Sequence, residues 1–523
     1  MTGVQTCALP ISEFTVQTPT ISQEGDYMIS NYEYQTQTVS TSEGKVVVTP
    51  VTKKFQFKTN TKVPKTGVMI IGLGGNNGTT LTAGVLANRH HLSWETKRGV
   101  QHANYYGSLT QCSTTYLGDN EEGKQVVAAF KDLLPMVSPN DLVISGWDIS
   151  NLNMYEAVKR AKVMEPGLYH QLEDELKAMK PLPAAFDLSF VAPNQDARAN
   201  NTLKGTKQEV LEQIRKQMRD FKEQNKLEQV IILWSANTER YSEITAGVHD
   251  TAANLLKAVK EGHPEISPST LYCLAAIEEG FPYINGSPQN TFVPGLIQYA
   301  IEKKAIIMGD DFKTGQTKFK TVVSDFLISS GLKLTAVTSY NHLGNNDGLN
   351  LSFEACFRSK QISKASVIDD MVRLNPILYH EGEHPDHIVV IKYVKSVGDS
   401  KRALDEYDSE IFCGGQNIIS CHNTCEDSLL AAPLMLDLVV LMELCTRIYI
   451  KDEKMENFSH FHTVMSVLSF LLKAPQVPPG TPVINSLFQQ RACLENILRA
   501  CRGLQPINHM HLEYKMPDRK SVV

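Results

Sequence analysis

The sequence predicts an α/β protein whose core is a doubly wound parallel sheet, with a smaller α+β domain inserted into it. Between residues 66 and 308, short apolar runs typical of buried strands alternate with helical runs. A glycine-rich turn joins the first of these strands to a helix, and from about residue 318 strands mix with polar amphipathic runs. Alternating strands and helices favour a parallel sheet with helices on both faces.

Length and composition indicate a large protein that does not act mainly on nucleic acid. A chain of 523 residues exceeds what one hydrophobic core usually serves, and a net charge of −6 argues against a nucleic-acid partner. Ten scattered cysteines are typical of reduced thiols and favour the cytoplasm. The most apolar stretch, residues 431–444, contains Asp437 and Glu443 and is predicted to be too short to span a membrane.

Four segments are predicted along the chain. An N-terminal extension of strands covers residues 1–64, the parallel-sheet domain covers 65–317, the inserted α+β domain covers 318–430, and residues 431–523 return to the first domain. Predicted strands lie at residues 67–72, 141–145, 229–235, 305–308, 333–339 and 387–395. Predicted helices lie at residues 79–88, 206–225, 248–261, 434–450 and 461–473.

The turn after the first strand contains Gly72, Gly74, Gly75 and Gly78. Glycines let the backbone approach a pyrophosphate, and the N-terminus of the following helix offers N–H donors. This is the context of the dinucleotide-binding fingerprint of Rossmann-type domains, although Asn77 stands where the third glycine is usual. A tight strand-to-helix turn without a ligand is the alternative.

Two further segments suit parts of a phosphorylated or dinucleotide ligand. Asp148 follows the strand at 141–145, where a carboxylate can accept a hydrogen bond from a ribose hydroxyl, and a helix-capping aspartate would look the same. The polar turn at residues 314–317 follows a strand and precedes a helical run, so its N–H groups and hydroxyls can hold a phosphate. A solvated charged turn is the alternative there.

Lys360 and Lys364 are four residues apart, so a helix would place both ammonium groups on one face. Like charges at this spacing cost stability and suggest an anionic ligand, whereas an ordinary surface pair is the alternative. The histidines between residues 380 and 387 and the cysteines between 421 and 425 lack a standard zinc spacing with a matching second pair. No metal site is predicted.

Taken together, these segments closely resemble the myo-inositol-1-phosphate synthases, in particular their eukaryotic, plant-like form, over residues 15–515. The most specific stretches are residues 74–78 (GGNNG), 233–241 (LWSANTERY), 285–291 (NGSPQNT), 309–317 (GDDFKTGQT), 339–348 (SYNHLGNNDG), 398–401 (GDSK) and 423–427 (NTCED). Residues 1–12 and 516–523 look foreign to the family and are expected to play no part in the chemistry.

The resemblance implies a Rossmann-type domain that binds NAD, interrupted by an α+β domain that carries most substrate contacts and the interface of a homotetramer. It implies conversion of glucose 6-phosphate to 1D-myo-inositol 3-phosphate without net redox change. In the family's scheme NAD takes a hydride from C5 of the open-chain sugar, C6 attacks the C1 aldehyde, and the hydride returns to C5. A C5 ketone acidifies the C6 proton, and fixed ammonium groups stabilise the resulting oxyanions.

The family's catalytic positions match six residues of this chain: Lys360, Lys364, Lys401, Lys473, Asp311 and Asp427. Lys360 is expected to transfer the proton at the C5 hydroxyl, and Lys364 and Lys401 to stabilise oxyanions. Lys473 is expected near the C1 carbonyl, while the two aspartates tune lysine protonation.

Cofactor and substrate contacts are likewise implied by the resemblance. The cofactor contacts are Gly75, Asn76, Asn77, Gly78, Asp148, Ser235, Ala236, Asn237, Thr238, Asn345, Asn346 and Asp347, the last three on the nicotinamide side. The substrate contacts are Thr314, Gly315, Gln316, Thr317 and Asn341. Two other functions are open: an ordinary NAD-dependent sugar-phosphate dehydrogenase that releases NADH, and a non-catalytic dinucleotide-binding regulator that would tolerate loss of its lysines.

Overall fold

The computed structural model describes residues 14–508, so residues 1–12 and 516–523 lie outside it. The described chain begins with three antiparallel strands, β1 (Ile21–Glu24), β2 (Tyr27–Ser42) and β3 (Lys45–Asn60). β2 and β3 form one long hairpin, since they pair along their whole length from Tyr27 with Asn60 to Ser42 with Lys45.

A six-stranded parallel sheet forms the centre of the protein. Residues 66–308 contain β4 (Thr66–Ile71), β5 (Ser93–Thr96), β6 (Gly99–His102), β7 (Thr114–Asp119), β8 (Gln125–Ala129), β9 (Val143–Asp148), β10 (Leu182–Pro183), β11 (Gln229–Trp234), β12 (Tyr283–Asn285) and β13 (Ile307–Met308). The sheet has the order β10-β9-β4-β11-β12-β13, and every neighbouring pair is parallel. β5 with β6, and β7 with β8, form two separate hairpins.

Helices connect these strands and pack on both faces of the sheet. They are α1 (Asn76–Arg89), α2 (Leu109–Cys112), α3 (Met154–Ala161), α4 (Pro166–Tyr169), α5 (Glu173–Ala178), α6 (Lys207–Gln224), α7 (Ala252–Glu261), α8 (Pro268–Glu279) and α9 (Pro294–Lys303). α6 begins at a capping box between Thr206 and Glu209, whereas α7 and α8 end at left-handed Gly262 and Gly280.

Alternate residues of β4 point into two different cores. Ile70 lies in a core shared with Val85 of α1, whereas Met69 lies in a second core with Ile214 of α6 and Tyr272 of α8. Helices therefore cover both faces of a sheet whose central strand β4 is buried along its whole length, as a doubly wound sheet requires. The predicted fold class is confirmed.

The next part of the chain forms a mixed sheet with its own small core. It contains α10 (Gly315–Ser329), β14 (Lys333–Leu343), α11 (Asn346–Asn350), α12 (Glu354–Ala365), α13 (Asp369–Arg373), β15 (Asp386–Tyr393), β16 (Ser400–Ile411) and β17 (Gly415–Glu426). The sheet order is β15-β14-β16-β17, in which only β14 and β15 are parallel. Leu334, Val337 and Tyr407 are fully buried in this core.

The last described segment returns to the beginning of the chain. It contains α14 (Asp427–Thr446), β18 (Ile448–Asp452), β19 (Ser459–His460) and α15 (Leu487–Cys501). β18 pairs with β3, which gives a second sheet of order β1-β2-β3-β18-β19. Short 3-10 helices lie at Phe130–Asp132, Pro139–Asp141, His170–Leu172, Leu188–Phe190, Pro193–Arg198, Ser366–Ile368, Lys395–Val397, Phe412–Gly414 and Ser469–Leu471. The domain boundaries at residues 64, 317 and 430 remain a prediction.

The structure corrects two predicted helices. The helix predicted for residues 434–450 ends at Thr446, and the following residues form β18 because they pair with β3. The run at 461–473 contains only one 3-10 turn, because Ile307 donates to the Thr463 carbonyl and Met465 donates to the Ile307 carbonyl. Hydrogen bonds to the edge of the parallel sheet thus replace those of a helix.

α14 is longer than the sequence suggested. Its 20 residues are long and apolar enough to cross a membrane by length and composition, but 72% of its most apolar window is buried inside the protein. Asp437 in this helix accepts hydrogen bonds from Ser108, Leu109 and Thr110 at the start of α2. Such burial is typical of a core helix in a folded domain.

Candidate active site

A cleft of about 1370 Å³, open to solvent, lies at the carboxyl ends of the central strands. Residues that end or follow β4, β9 and β11 line the cleft, together with Lys360 of α12, residues 345–347 after β14 and Lys401 at the start of β16. In open α/β sheets, ligands bind outside the carboxyl ends of the strands. The cleft is therefore where the fold itself would place a ligand.

The glycine loop after β4 brings the backbone close to the cleft. Gly72 has φ +89°, and a Cβ there would lie 2.7 Å from Ala236 Cα. At Gly78 a Cβ would lie 2.3 Å from the Leu73 carbonyl oxygen, so this glycine serves packing rather than the cleft surface. Gly75 caps the 14-residue helix α1 without a side-chain hydrogen bond, which leaves the first-turn N–H groups available to an anion.

Asp148 lies at the end of β9 and is only 5% exposed. Burial raises the pKa of Asp148, and the opposing influences are the Ser150 N–H and the charges of Arg198 and Arg160. Both arginines line the cleft, although no sequence pattern marks them. A Cβ on Gly74 would lie 3.1 Å from the Asp148 carboxylate, so glycine at that position keeps the carboxylate accessible.

The predicted cofactor loops after β11 and β14 meet each other directly. Thr238 donates its backbone N–H to Asp347 Oδ1 at 3.0 Å, and the Asn346 side-chain amide donates to Asn237 Oδ1 at 3.0 Å. Burial raises the pKa of Asp347, while nearby Lys360 opposes that shift. The loop after β11 and the start of α11 therefore form one wall of the cleft.

These features fit NAD. A helix N-terminus behind closely packed glycines suits the pyrophosphate, and a buried carboxylate at the next strand end suits a ribose hydroxyl. Most of the predicted cofactor residues line the cleft: Gly75, Asn76, Asn77, Asp148, Ser235, Ala236, Asn237, Thr238, Asn345, Asn346 and Asp347.

Asp311 joins two of the four predicted lysines. Its Oδ1 lies 2.9 Å from Lys360 Nζ and its Oδ2 lies 3.0 Å from Lys473 Nζ, while Ser363 donates to Oδ2 at 2.7 Å. The Lys473 N–H also donates to the Asp311 carbonyl at 2.7 Å. Asp311 has φ +60°, a conformation that non-glycine residues adopt rarely and mostly where function requires it.

Burial and neighbouring charges shift the pKa values of Asp311, Lys473 and Lys360 in different ways. Burial would raise the pKa of Asp311, yet the two ammonium groups outweigh it and hold that pKa well below its usual range. Burial lowers the pKa of Lys473 to about 7 despite its contact with Asp311. For Lys360, burial is outweighed by Asp311 and Asp347, and its pKa is raised. At neutral pH the site therefore combines an ionised carboxylate, a stable ammonium and a lysine near its own pKa.

A second ion pair also lines the cleft. Lys401 Nζ lies 3.5 Å from Asp427 Oδ1. Asp399, which the sequence did not indicate as a site residue, accepts hydrogen bonds from Ser428 at 2.8 and 2.9 Å and from the Asn76 side chain at 3.3 Å. The glycine loop is thus connected, through Asp399, to the start of the strand β16 that carries Lys401.

The predicted phosphate site is the start of a helix. Thr314 is the N-cap of the 15-residue helix α10 and lines the cleft, while residues 315–317 form the first turn. No acidic residue lies in that first turn, so its N–H groups and positive dipole end suit a phosphate. The Gln316 side chain, however, is buried and donates to Ser339 and Asp405 instead.

Several predicted residues lie behind the cleft wall rather than on it. Lys364 is 3% exposed and donates to Asn341 Oδ1 at 3.2 Å. The predicted residues that do not line the cleft are Gly78, Gly315, Gln316, Thr317, Asn341 and Lys364. Glu239 lines it without having been predicted, and burial raises its pKa to about 7. Its position after the predicted loop 235–238 is the one sequence signal that could have indicated it.

The histidines between residues 380 and 387 make ordinary side-chain contacts. His384 lies 3.0 Å from Asp369, and His387 lies 3.0 Å from Lys320. Within residues 14–508 no group of three or more potential metal ligands is found.

A glycine loop under a helix, a buried carboxylate for ribose and a lysine-lined cleft together define an NAD-dependent α/β enzyme. Comparison with known proteins identifies the family to which this enzyme belongs. A profile described as NAD-binding, myo-inositol-1-phosphate synthase, matches residues 66–499. The chain belongs to the myo-inositol-1-phosphate synthase family, and the resemblance seen in the sequence is confirmed.

Relatives match the chain over nearly its whole length. Inositol-3-phosphate synthase 1 of Oryza sativa subsp. japonica is 56% identical, with 97% of this chain and 100% of the relative covered. Inositol-3-phosphate synthase 1 of Populus euphratica is 58% identical with the same coverage. The crystal structure of inositol-3-phosphate synthase from Caenorhabditis elegans matches with a TM-score of 0.94 and 47% identity, covering 97% of this chain and 99% of that one.

Proposed function

We propose that this enzyme converts D-glucose 6-phosphate to 1D-myo-inositol 3-phosphate with NAD, the first step of inositol biosynthesis. The observation that carries the proposal is the convergence of Lys360, Lys473 and Asp311 with the Lys401–Asp427 pair around one cleft. Full-length similarity to inositol-3-phosphate synthases supports it. An ordinary dehydrogenase is less favoured, because oxidation of one hydroxyl needs one proton acceptor and not four lysines.

NAD would be held by the glycine loop and Asp148, with the residues around Asn237 and Asp347 near the nicotinamide. When bound, it supplies a hydride acceptor for C5 of the sugar and the donor that later returns the hydride. Thr314 and the first turn of α10 would hold the substrate phosphate through N–H groups. This places the reacting carbons of the sugar between the cofactor wall and the lysines.

The lysines would handle the protons and the negative charge. Their pKa directions favour Lys360 as a proton donor to the C5 oxygen during re-reduction, because it rests as an ammonium beside Asp311. Lys473, with a pKa of about 7, is the lysine that most readily accepts a proton at neutral pH. Lys364 and Lys401 stabilise the oxyanions that form during ring closure, and Asp427 balances the charge of Lys401.

The reaction is expected to need NAD yet accumulate no NADH, because the hydride removed at C5 returns to the same carbon. Glucose 6-phosphate deuterated at C5 should therefore give an inositol phosphate that retains the label, measured by mass spectrometry and NMR. Glucose 6-phosphate deuterated at C6 is the matched control, and it should lose one deuterium when C6 attacks C1. NADH accumulation with a ketonic product would instead indicate an ordinary dehydrogenase.

We also propose that the enzyme is a homotetramer assembled through the inserted domain. On the outer face of the sheet β15-β14-β16-β17, the apolar residues Tyr340, Ile388, Leu404 and Ile418 are 45–59% exposed. Four large apolar side chains on one open sheet face are typical of an interface. The cytoplasm is proposed as its compartment, supported by nine free cysteines within residues 14–508.

Light scattering is expected to give a mass of about four times 58.2 kDa. Leu404→Lys should lower that mass, because it buries an unpaired ammonium in the interface. Ile301→Lys, at an exposed apolar position of α9, is the matched control and should leave the mass unchanged. A wild-type monomer, or a Leu404→Lys tetramer as stable as the wild type, would contradict this assembly.

A further inference from the structure

Lys364 differs from the other three lysines in its partner. Lys360 and Lys473 contact Asp311, and Lys401 contacts Asp427, whereas no ion pair of Lys364 is found within residues 14–508. Its one hydrogen bond goes to the neutral amide oxygen of Asn341. A buried ammonium held only by a neutral group is costly unless that group is itself strongly polarised.

A chain of hydrogen bonds leads from Lys364 to a buried carboxylate. Lys364 donates to Asn341 Oδ1 at 3.2 Å, Asn341 Nδ2 donates to Ser339 Oγ at 3.2 Å, and Ser339 Oγ donates to Asp405 Oδ1. Ser339 and Asp405 face each other in the register of β14 and β16. All four side chains are buried, with exposures of 3%, 1%, 0% and 1%.

The direction of this chain is fixed by its chemistry. An ammonium can only donate, so Asn341 Oδ1 must accept, and Asn341 Nδ2 also donates to the Val390 carbonyl at 3.2 Å. Ser339 Oγ accepts from both Asn341 and Gln316, so its single hydrogen is left for Asp405. Every link therefore donates towards the carboxylate, and each bond polarises the next.

We propose that Asp405 is a positioning residue for the reaction, which holds Lys364 in place as an ammonium through Ser339 and Asn341. This inference rests on the proposed function. Asp405 does not line the cleft. Its negative charge makes Asn341 Oδ1 a stronger acceptor and aims the Lys364 ammonium at the developing oxyanion. The order of the site thus depends on a carboxylate three hydrogen bonds away.

Other ionisable groups surround the chain. Burial, followed by Lys401 and Lys473, lowers the pKa of Lys364, while burial lowers the pKa of Lys320 to about 8 against the opposing charge of Asp405. Groups facing the chain come from α10, α12, β15, β16, β17 and the loop after β19: Lys320, Lys360, His387, Lys401, Tyr407, Cys421 and Lys473. Loss of the Asp405 charge would also change the pKa of Lys320. The test must therefore separate an effect through Lys320 from an effect along the hydrogen-bond chain.

Asp405→Asn is expected to move the alkaline limb of the kcat/KM profile for glucose 6-phosphate to lower pH. Without the carboxylate the pKa of Lys364 falls further, so the ammonium is lost at lower pH, by about half a unit to one unit for one weakened hydrogen bond. Ser339→Ala interrupts the chain while leaving Asp405 and its effect on Lys320 in place, and should shift the limb in the same direction. Lys473 keeps its Asp311 contact in both variants.

Glu354→Gln is the matched control, since it removes one exposed negative charge from the helix that carries Lys364 and should leave the profile unchanged. Formation of inositol phosphate by the wild type is measured first. If the wild type forms none, the proposed function is overturned, whatever the role of Asp405. If Asp405→Asn and Ser339→Ala both fold and bind NAD, and the alkaline limb of kcat/KM stays at the wild-type pH in both, the inference is overturned. A shift in Asp405→Asn alone would also overturn it, because the charge would then act through Lys320 and not along the chain.

Discussion

Lys364→Arg is expected to be nearly inactive although it keeps the positive charge. Lys364 is 3% exposed and fits a space bounded by Asn341, so the larger planar guanidinium has no room. Losing one well-placed donor in such a site typically costs about 10²–10³ in rate, and we expect at least that loss in kcat.

Lys216→Arg, at an exposed position of α6, is the matched control and should retain full activity. NAD binding and thermal unfolding of both variants show whether each protein is folded. If a folded Lys364→Arg enzyme worked within about tenfold of the wild type, only net positive potential would be needed, and the close contact with an oxyanion would be refuted.

Asp311→Asn should lose both activity and stability. The carboxylate is shared by Lys360 and Lys473, so its removal leaves two buried ammonium groups without their common partner. Breaking a buried ion pair from one side typically costs about 3–5 kcal/mol in unfolding free energy. The rate should fall by about 10²–10³, since the positions and the pKa values of both lysines depend on this group. Steady-state kinetics and chemical denaturation measure the two effects.

Asp310→Asn is the adjacent control. Burial raises the pKa of Asp310 to about 8, so at pH 7 it is mostly a neutral acid, and asparagine replaces it with little change in charge. Asn285 donates to one of its oxygens at 2.6 Å, and Gln476 can reverse its amide to accept from the new one. Equal losses in the two variants at pH 7 would show that the loop geometry matters and that the Asp311 charge does not.

The effect of Asp311→Asn on the unfolding free energy should depend on pH. The pKa of Asp311 is lowered on folding, so its contribution is complete above the ordinary pKa of an aspartate and is lost as the pH falls through the folded value. The difference in unfolding free energy between the wild type and Asp311→Asn should therefore narrow as the pH is lowered below about 4.

Local patterns were enough to predict much of the fold. A strand, a glycine turn and a helix in succession predicted β4 and α1, and the spacing of Lys360 and Lys364 placed both on one helix, α12. These features depend on neighbouring residues, because helical and strand periodicity and turn geometry act over a few positions. The helix predicted at 461–473 was wrong because hydrogen bonds from Ile307, far away in sequence, override local propensity there.

The sequence by itself determined the fold class, the family and the glycine loop, and it predicted the four lysines of the site. Only the tertiary structure decided which lysine pairs with which carboxylate, that Lys364 lies behind the cleft wall, and that Arg160 and Arg198 adjoin Asp148. Residue types and short spacings can be read directly from the sequence. Burial and Coulomb interactions depend on distances between segments that only folding brings together. Folding brings Asp311 and Lys473 to 3.0 Å across 162 positions, and that contact helps to lower the pKa of Asp311 and opposes the effect of burial on the pKa of Lys473.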